Sequence, residues 1–147
     1  MKFKLILDKE SEELITAVVH QRSTLTDQIE ALVLEHTGSD AIAAFTEDDM
    51  RMLPYKQIAC FTVLEGKTLA IDVAGKQYRV KQRLYEIEQQ LPSSFFRINK
   101  SSIANEAALE KFTSTYSGGI NAKFKCGYED YVSRRCFSTI KRRFQVK

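Results

Sequence analysis

From residue 41 onward the chain is a succession of short apolar runs cut by turn-forming residues, a pattern that rules out a helical bundle for most of its length. The runs are AIAAFT (41–46), MRMLP (50–54), QIACFTVLE (57–65), TLAIDV (68–73), QYRV (77–80), SFFRINKSSIAN (94–105), EKFTSTY (110–116), INAKFKC (120–126) and EDYVS (129–133). Between them lie Glu47-Asp48-Asp49, Gly66, Gly75, Ser117-Gly118-Gly119 and Gly127-Tyr128, residues that favour tight reversals. Short strands with frequent turns predict an antiparallel β region. Within it Leu69, Ile71 and Val73 are expected to face inward. Ile120, Ala122, Phe124 and Cys126 share one face of a half-buried strand, opposite Asn121, Lys123 and Lys125. RLYEIEQQL (83–91) returns to helical spacing through Leu84, Ile87, Glu88 and Leu91 until Pro92 stops it, and SRRCFSTIKRRF (133–144) reads as a basic, partly helical end. The fold class is mainly β, of the α+β type.

The first 40 residues follow a different pattern. KFKLILD (2–8) alternates Phe3, Leu5 and Leu7 and predicts a short strand. Ser11 is a suitable N-cap, followed by Glu12 and Glu13. Leu14, Ile15, Val18 and Val19, then Leu25, Ile29, Leu32 and Val33, keep helical spacing, so one long or broken helix is expected over 11–36, closed at Thr37-Gly38-Ser39. The expected organisation is a β-α extension over 1–40 joined to a domain over 41–147. With 147 residues there is room for one sizeable core and no second full domain.

Charge separates the same two regions. Residues 1–57 hold 6 Lys+Arg against 11 Asp+Glu, net −5, whereas residues 58–147 hold 16 against 8, net +8, together the +3 of the whole chain. A basic module joined to an acidic extension suggests a polyanion partner for the basic part. No run approaches the length of a membrane span, and the N-terminus turns acidic before a signal-peptide core can form, so a cytoplasmic protein is expected. Cys60, Cys126 and Cys136 have no metal-ligand spacing and are expected to be reduced thiols. An enzyme is not expected. His20 and His36 lie far in sequence from any cysteine, would stand about 24 Å apart on one straight helix, and no nucleophile, P-loop or zinc-protease motif is present. No cofactor, metal or small-molecule substrate is called for.

Two basic, small-polar turns carry the chemistry: RINKSS (97–102) and SRR (133–135). Arginine offers a planar fork to guanine edges or phosphates, lysine a point charge, and serine or asparagine short hydrogen bonds to backbone oxygens. These types on β turns suit a nucleic acid. They also suit a basic protein-interaction module with an acidic partner, or an RNA binder; Tyr116, Tyr128 and Tyr131 keep base stacking open.

The stretches IACFTVLEGKTLAI, GKQYRVKQRLYEIEQQLP, FFRINKSSIAN, the GGI turn and VSRR with its basic tail resemble, in this order over Ile58–Arg143, the LytTR DNA-binding domain of bacterial LytR/AlgR-type regulators. The resemblance implies an elongated antiparallel β-β-β fold with a small helix, preceded here by an N-terminal strand and helix. It also implies a transcription regulator whose loops enter successive major grooves of double-stranded DNA at direct repeats. Carried over residue by residue, it implies DNA contacts from Lys67 and Thr68, from Asn99, Lys100 and Ser101, and from Ser133, Arg134 and Arg135. Arg135 is the leading base reader, Ser101 and Ser133 are phosphate contacts, and Arg97 braces its loop. Asn99 stands where many relatives carry His. The 57 residues before the domain are too few for a receiver domain, so control by phosphorylation is not expected. Direct repeats place two copies on DNA, from which a homodimer in solution does not follow; small LytTR regulators of this shape also resemble a group paired with an integral membrane protein that restrains them, and the helix of 11–36 is expected to serve a homodimer, such a membrane partner, or packing on the β domain.

Overall fold

A computed structural model describes residues 1–11, 13–37 and 40–144, with the side chains of 34–37 excepted. The chain divides into two compact units, Met1–Val33 and Leu34–Lys147.

In the first unit the structure corrects the sequence reading twice. Residues 2–8 run without helix, turn or bend and pair with no strand among the described residues. Alternation gives a strand its faces, but a strand exists only through a neighbour's N–H and C=O groups. The helix expected over 11–36 is present only as α1 (Thr24–Thr37). Ser11 does not cap it; its hydroxyl donates to Asp8 Oδ2 at 2.6 Å. Residues 13–19 are not helical, because Ile15, Thr16, Val18 and Val19 crowd four β-branched side chains into five positions. The start of α1 lies instead at Ser23. The Thr26 amide donates to Ser23 Oγ at 3.4 Å while the Ser23 amide donates to Thr26 Oγ1 at 2.8 Å, a reciprocal cap with Thr in the usual Glu position. The expected stop at Gly38-Ser39 lies outside the described residues.

The second unit is the expected antiparallel β domain. Its strands are β1 (Ala41–Phe45), β2 (Met50–Pro54), β3 (Ile58–Leu64), β4 (Lys67–Asp72), β5 (Gln77–Val80), β6 (Phe95–Asn99), β7 (Ser102–Asn105), β8 (Leu109–Ser114), β9 (Ile120–Phe124) and β10 (Glu129–Val132). The helices are α2 (Leu84–Glu88), shorter than the expected 83–91, and α3 (Arg134–Phe144). Seven strands form one sheet in the order β2-β1-β5-β4-β3-β7-β6, and three form a second in the order β10-β9-β8.

β3 is central because both its faces are buried. Ile58 and Phe61 join a core with Ile42, Leu53, Tyr55, Ala70, Tyr78, Leu84, Ile87, Phe95 and Ile103. Ala59 and Cys60 join a second core with Ile71, Ile98, Ala104, Ala122, Phe124, Val132 and Ile140. The large sheet therefore carries α2 on one face, and the small sheet with α3 on the other. This explains the continuous apolar runs IACF and TLAI, since a strand covered on both sides has no polar face to alternate with. It also corrects one detail: Ala70 is as buried as Ile71, while Val73, expected inward, lies past the end of β4 and is half exposed. Ala122 and Phe124 face inward as expected. Cys60 is buried, Cys126 and Cys136 are half-buried, and all three are free thiols.

Phe61 is fully buried and stacks obliquely on Phe95 with centroids 5.9 Å apart. Phe61→Ala is expected to cost about 3–5 kcal/mol, the range for emptying an aromatic site in a close-packed core, measured by denaturant unfolding of the two proteins.

Candidate nucleic-acid interface

Three backbone connections bring the basic turns to one end of the large sheet. β3 and β4 are joined by the two-residue turn Glu65-Gly66, both in the left-handed region with φ of 52° and 77°, which sets Lys67 opposite Leu64 and Thr68 opposite Val63. β6 and β7 are joined at Lys100-Ser101, with Asn99 opposite Ser102. The Val63 amide donates to the Ser101 carbonyl at 2.9 Å, fastening this second turn beside the first. The Ser133 amide donates to the Ile98 carbonyl at 2.9 Å and brings the start of α3 alongside. Lys67, Thr68, Lys100, Ser101, Ser133, Arg134 and Arg135 thus stand at one end of the sheet, although 68 positions separate the first from the last in sequence.

Each turn is braced from inside. Arg97 donates through Nη1 to the Lys100 carbonyl at 2.6 Å and through Nη2 to Glu88 Oε1 at 3.1 Å, the bracing role expected of it. Asn99, expected at the DNA, is fully buried. Its Oδ1 accepts from the Ser101 amide at 2.8 Å, and its Nδ2 donates to the Tyr131 carbonyl at 2.8 Å and to Asp130 Oδ1 at 3.4 Å. It shapes the turn rather than projecting from it; the next residue, Lys100, is the one exposed. Ser133 is the N-cap of α3, its Oγ accepting from the Cys136 amide at 3.1 Å. Arg134 and Arg135 follow as the first two helical residues, both exposed. Two guanidinium groups at a helix N-terminus add to the partial positive charge of its free amides, an arrangement suited to anionic oxygens.

Asp130 joins these parts. Its Oδ2 accepts from Ser102 Oγ at 2.5 Å and from the Tyr128 hydroxyl at 3.2 Å, and its Oδ1 accepts from the Tyr131 amide at 2.8 Å and from Asn99 Nδ2. Ser102 Oγ also lies 2.8 Å from Thr62 Oγ1 on β3. One carboxylate therefore links β3, the Lys100 turn and the strand that leads into Arg134. Burial, then the nearby Cys60 and Asp130, holds the Tyr128 phenol far above its ordinary range, so it stays a donor. Burial likewise pushes the Cys60 thiol up, which keeps it uncharged and unreactive.

Sequence reasoning missed two features here. Thr68 pairs with Val80, so the exposed Lys81 and Arg83 that follow β5 stand at the same end of the sheet; the run VKQR between a strand and a helix was their signal. Asp130, in a strand of mixed polarity, gave none. Away from this end, α3 runs back along β6 to its other end, where Arg143 donates to Glu106 Oε1 at 2.8 Å and lies over the Phe96 ring at 4.9 Å.

The LytTr DNA-binding domain family model matches residues 48–145, two thirds of the chain. The chain belongs to the LytTR family. Similar proteins include regulators of Staphylococcus aureus described as uncharacterized HTH-type transcriptional regulators: 29% identical over 147 residues in strains MSSA476 and MW2 and 28% in strain NCTC 8325, with 99% of both chains covered. Among solved structures, the fold is similar to the LytTr DNA-binding domain of a protein described as a methyl-accepting/DNA response regulator of Bacillus cereus. The TM-score is 0.67 at 20% identity, over 74% of this chain and 100% of that one. The expected mainly β LytTR fold is therefore the observed one. The LytTR domain here holds no helix-turn-helix among its described residues, since strands separate every pair of its helices.

Two outcomes test the network. Asp130→Ala orphans donors on the buried Ser102 and Asn99 at about 1–3 kcal/mol each, so the variant is expected to lose several times the stability that an exposed Asp48→Ala loses in the same denaturant titration. A phenol whose pKa is raised on folding contributes stability that is whole below its unfolded value of 10.0 and is lost as pH climbs above it. Unfolding free energy of the wild type is accordingly expected to fall more steeply above about pH 10 than that of Tyr128→Phe.

Proposed function

We propose that this protein is a transcription regulator that reads double-stranded DNA in sequence-specific fashion, placing the Lys67, Lys100 and Arg134-Arg135 elements into successive major grooves at direct repeats. The observation that supports it most is the joining of the Lys100 turn to the strand that leads into α3 through Asp130, because base reading needs donors held at fixed separation. Arg135 is the leading base reader and Lys100 a base or phosphate contact. Lys67, Thr68, Ser101 and Arg134 steady the backbone, with Lys81 and Arg83 added to them. Ser133 can reach a phosphate only while serving as helix cap, and Asn99 acts from within. Exposed aromatics argue against single-strand stacking as the main mode. Tyr85, Tyr116 and Tyr131 stand on α2, on the β8–β9 turn and on β10, not on one platform. Two copies on DNA follow from direct repeats, and the family resemblance adds an integral membrane inhibitor as a candidate partner of the N-terminal unit.

Selection from random duplex DNA at physiological salt is expected to enrich paired, similarly oriented elements at fixed spacing; retention without enrichment would leave a basic interaction module or an RNA binder. On the selected site Arg135→Ala is expected to cost about 1–3 kcal/mol and to relax preference at one position. Equal losses on selected and random DNA would remove base reading. If Lys100 touches phosphate, Lys100→Ala flattens the log K against log salt slope by about 0.9 with no change of sequence preference.

A further inference from the structure

The first unit carries more apolar surface than it can cover. Phe3, Leu5, Ile6 and Leu7 are 69–90% exposed, and Leu14, Ile15, Val18 and Val19 are also open to solvent. Residues 2–8 run straight, without helix, turn or bend, and no backbone group of theirs is hydrogen-bonded to another backbone group among the described residues. An alternating apolar strand with an unpaired edge is an unfinished sheet.

Its sequence specifies what finishes it. Laid antiparallel on a second KFKLILD about Leu5, Leu5 meets Leu5, Phe3 meets Leu7 and Lys4 meets Ile6, while each Lys2 meets Asp8 of the other copy. Directly opposed residues share a face, so Phe3, Leu5 and Leu7 of both copies merge into one apolar stripe. The end charges are complementary at both ends at once, as a two-fold interface requires. Asp8 is already fixed in place: its carboxylate accepts from the Glu10 amide at 3.0 Å and from the Ser11 hydroxyl, which ends the segment in a turn and sets its register.

We propose that residues 2–8 form an intermolecular antiparallel ribbon with the same residues of a second copy, making the protein a dimer without DNA. A two-stranded ribbon alone is marginal. The exposed Leu14, Ile15, Val18 and Val19 of both copies supply the apolar cover for its stripe. The S. aureus relatives, matched over 99% of their length, span this unit as well as the β domain. The inference concerns the N-terminal unit and stands or falls apart from DNA reading.

Light scattering on the full-length chain, free of DNA and at tens of micromolar, is expected to give twice the 16.8 kDa of one chain. Leu5→Glu sets two carboxylates against each other on the two-fold axis and is expected to halve that mass, with the β-sheet circular dichroism unchanged. Lys2→Glu and Asp8→Lys are each expected to weaken the dimer on dilution, and the double variant, which restores opposite charges at both ends, to recover it. A wild-type monomer, or a Leu5→Glu protein that keeps the wild-type mass, overturns the proposal, whatever vesicle or membrane protein the segment then binds. Failure of the double variant to recover overturns the register.

Discussion

A carboxylate with four donors around it is the interaction on which the basic end of the domain depends. Asp130 takes hydrogen bonds from the hydroxyls of Ser102 and Tyr128, the amide of Tyr131 and the side chain of Asn99. Bringing a carboxylate below the surface is costly unless its lone pairs are matched, and here the matching comes from both sides, from Asn99 and Ser102 flanking one turn and from Tyr128 and Tyr131 flanking Asp130 itself. The network is fully satisfied: no buried side-chain nitrogen or oxygen among the described residues lacks a partner. Such an arrangement tolerates few alternative geometries, because any shift of one loop orphans a donor in another. Rigidity at the base is what allows exposed lysine and arginine tips to keep a defined spacing.

Around that network the fold is built on β3, which pairs with β4 on one side and β7 on the other and is buried above and below. The strands themselves were legible in the sequence, since the apolar runs and the glycines at 66, 75 and 118 mark where they begin and reverse. What was not legible is the order of the strands and which face residues take beyond an irregularity. β3 shifts register against β4 between Ile58 and Cys60, and β6 against β7 between Arg97 and Asn99. Each bulge reverses the in-and-out sequence beyond it. Long-range pairing fixes these irregularities, and no local pattern contains them.

The same limit acts on single residues of the candidate site. The turn 97–102 announces itself by composition, yet whether Asn99 or Lys100 points outward depends on one step of a period-two pattern after a bulge, and the step puts Asn99 inside. Ser133 was legible as a small polar residue before a basic helix, which is also the signature of an N-cap. Its hydroxyl closes the helix, and Arg134 and Arg135 are exposed because it does. Asp130 was illegible. An acid next to Glu129 in a short strand looks like solvated surface until residues 28 and 31 positions away are seen to converge on it.

The N-terminal unit shows a different failure of local reading. Its apolar spacing satisfies a helix over 14–19 and a strand over 2–8 equally well, and β-branching decides against the helix. The strand pattern is sound but incomplete within one chain, because hydrogen bonding in a sheet is a property of pairs. A segment whose end charges and apolar face mirror each other about its own centre, lysine at one end and aspartate at the other, can be completed by its own sequence. Its surroundings are acidic, net −5 over residues 1–57 against +8 beyond, so a polyanion suits the later region and not this one. Charge thus separates the two regions chemically, and the open strand edge is the feature of the first that a second copy would complete.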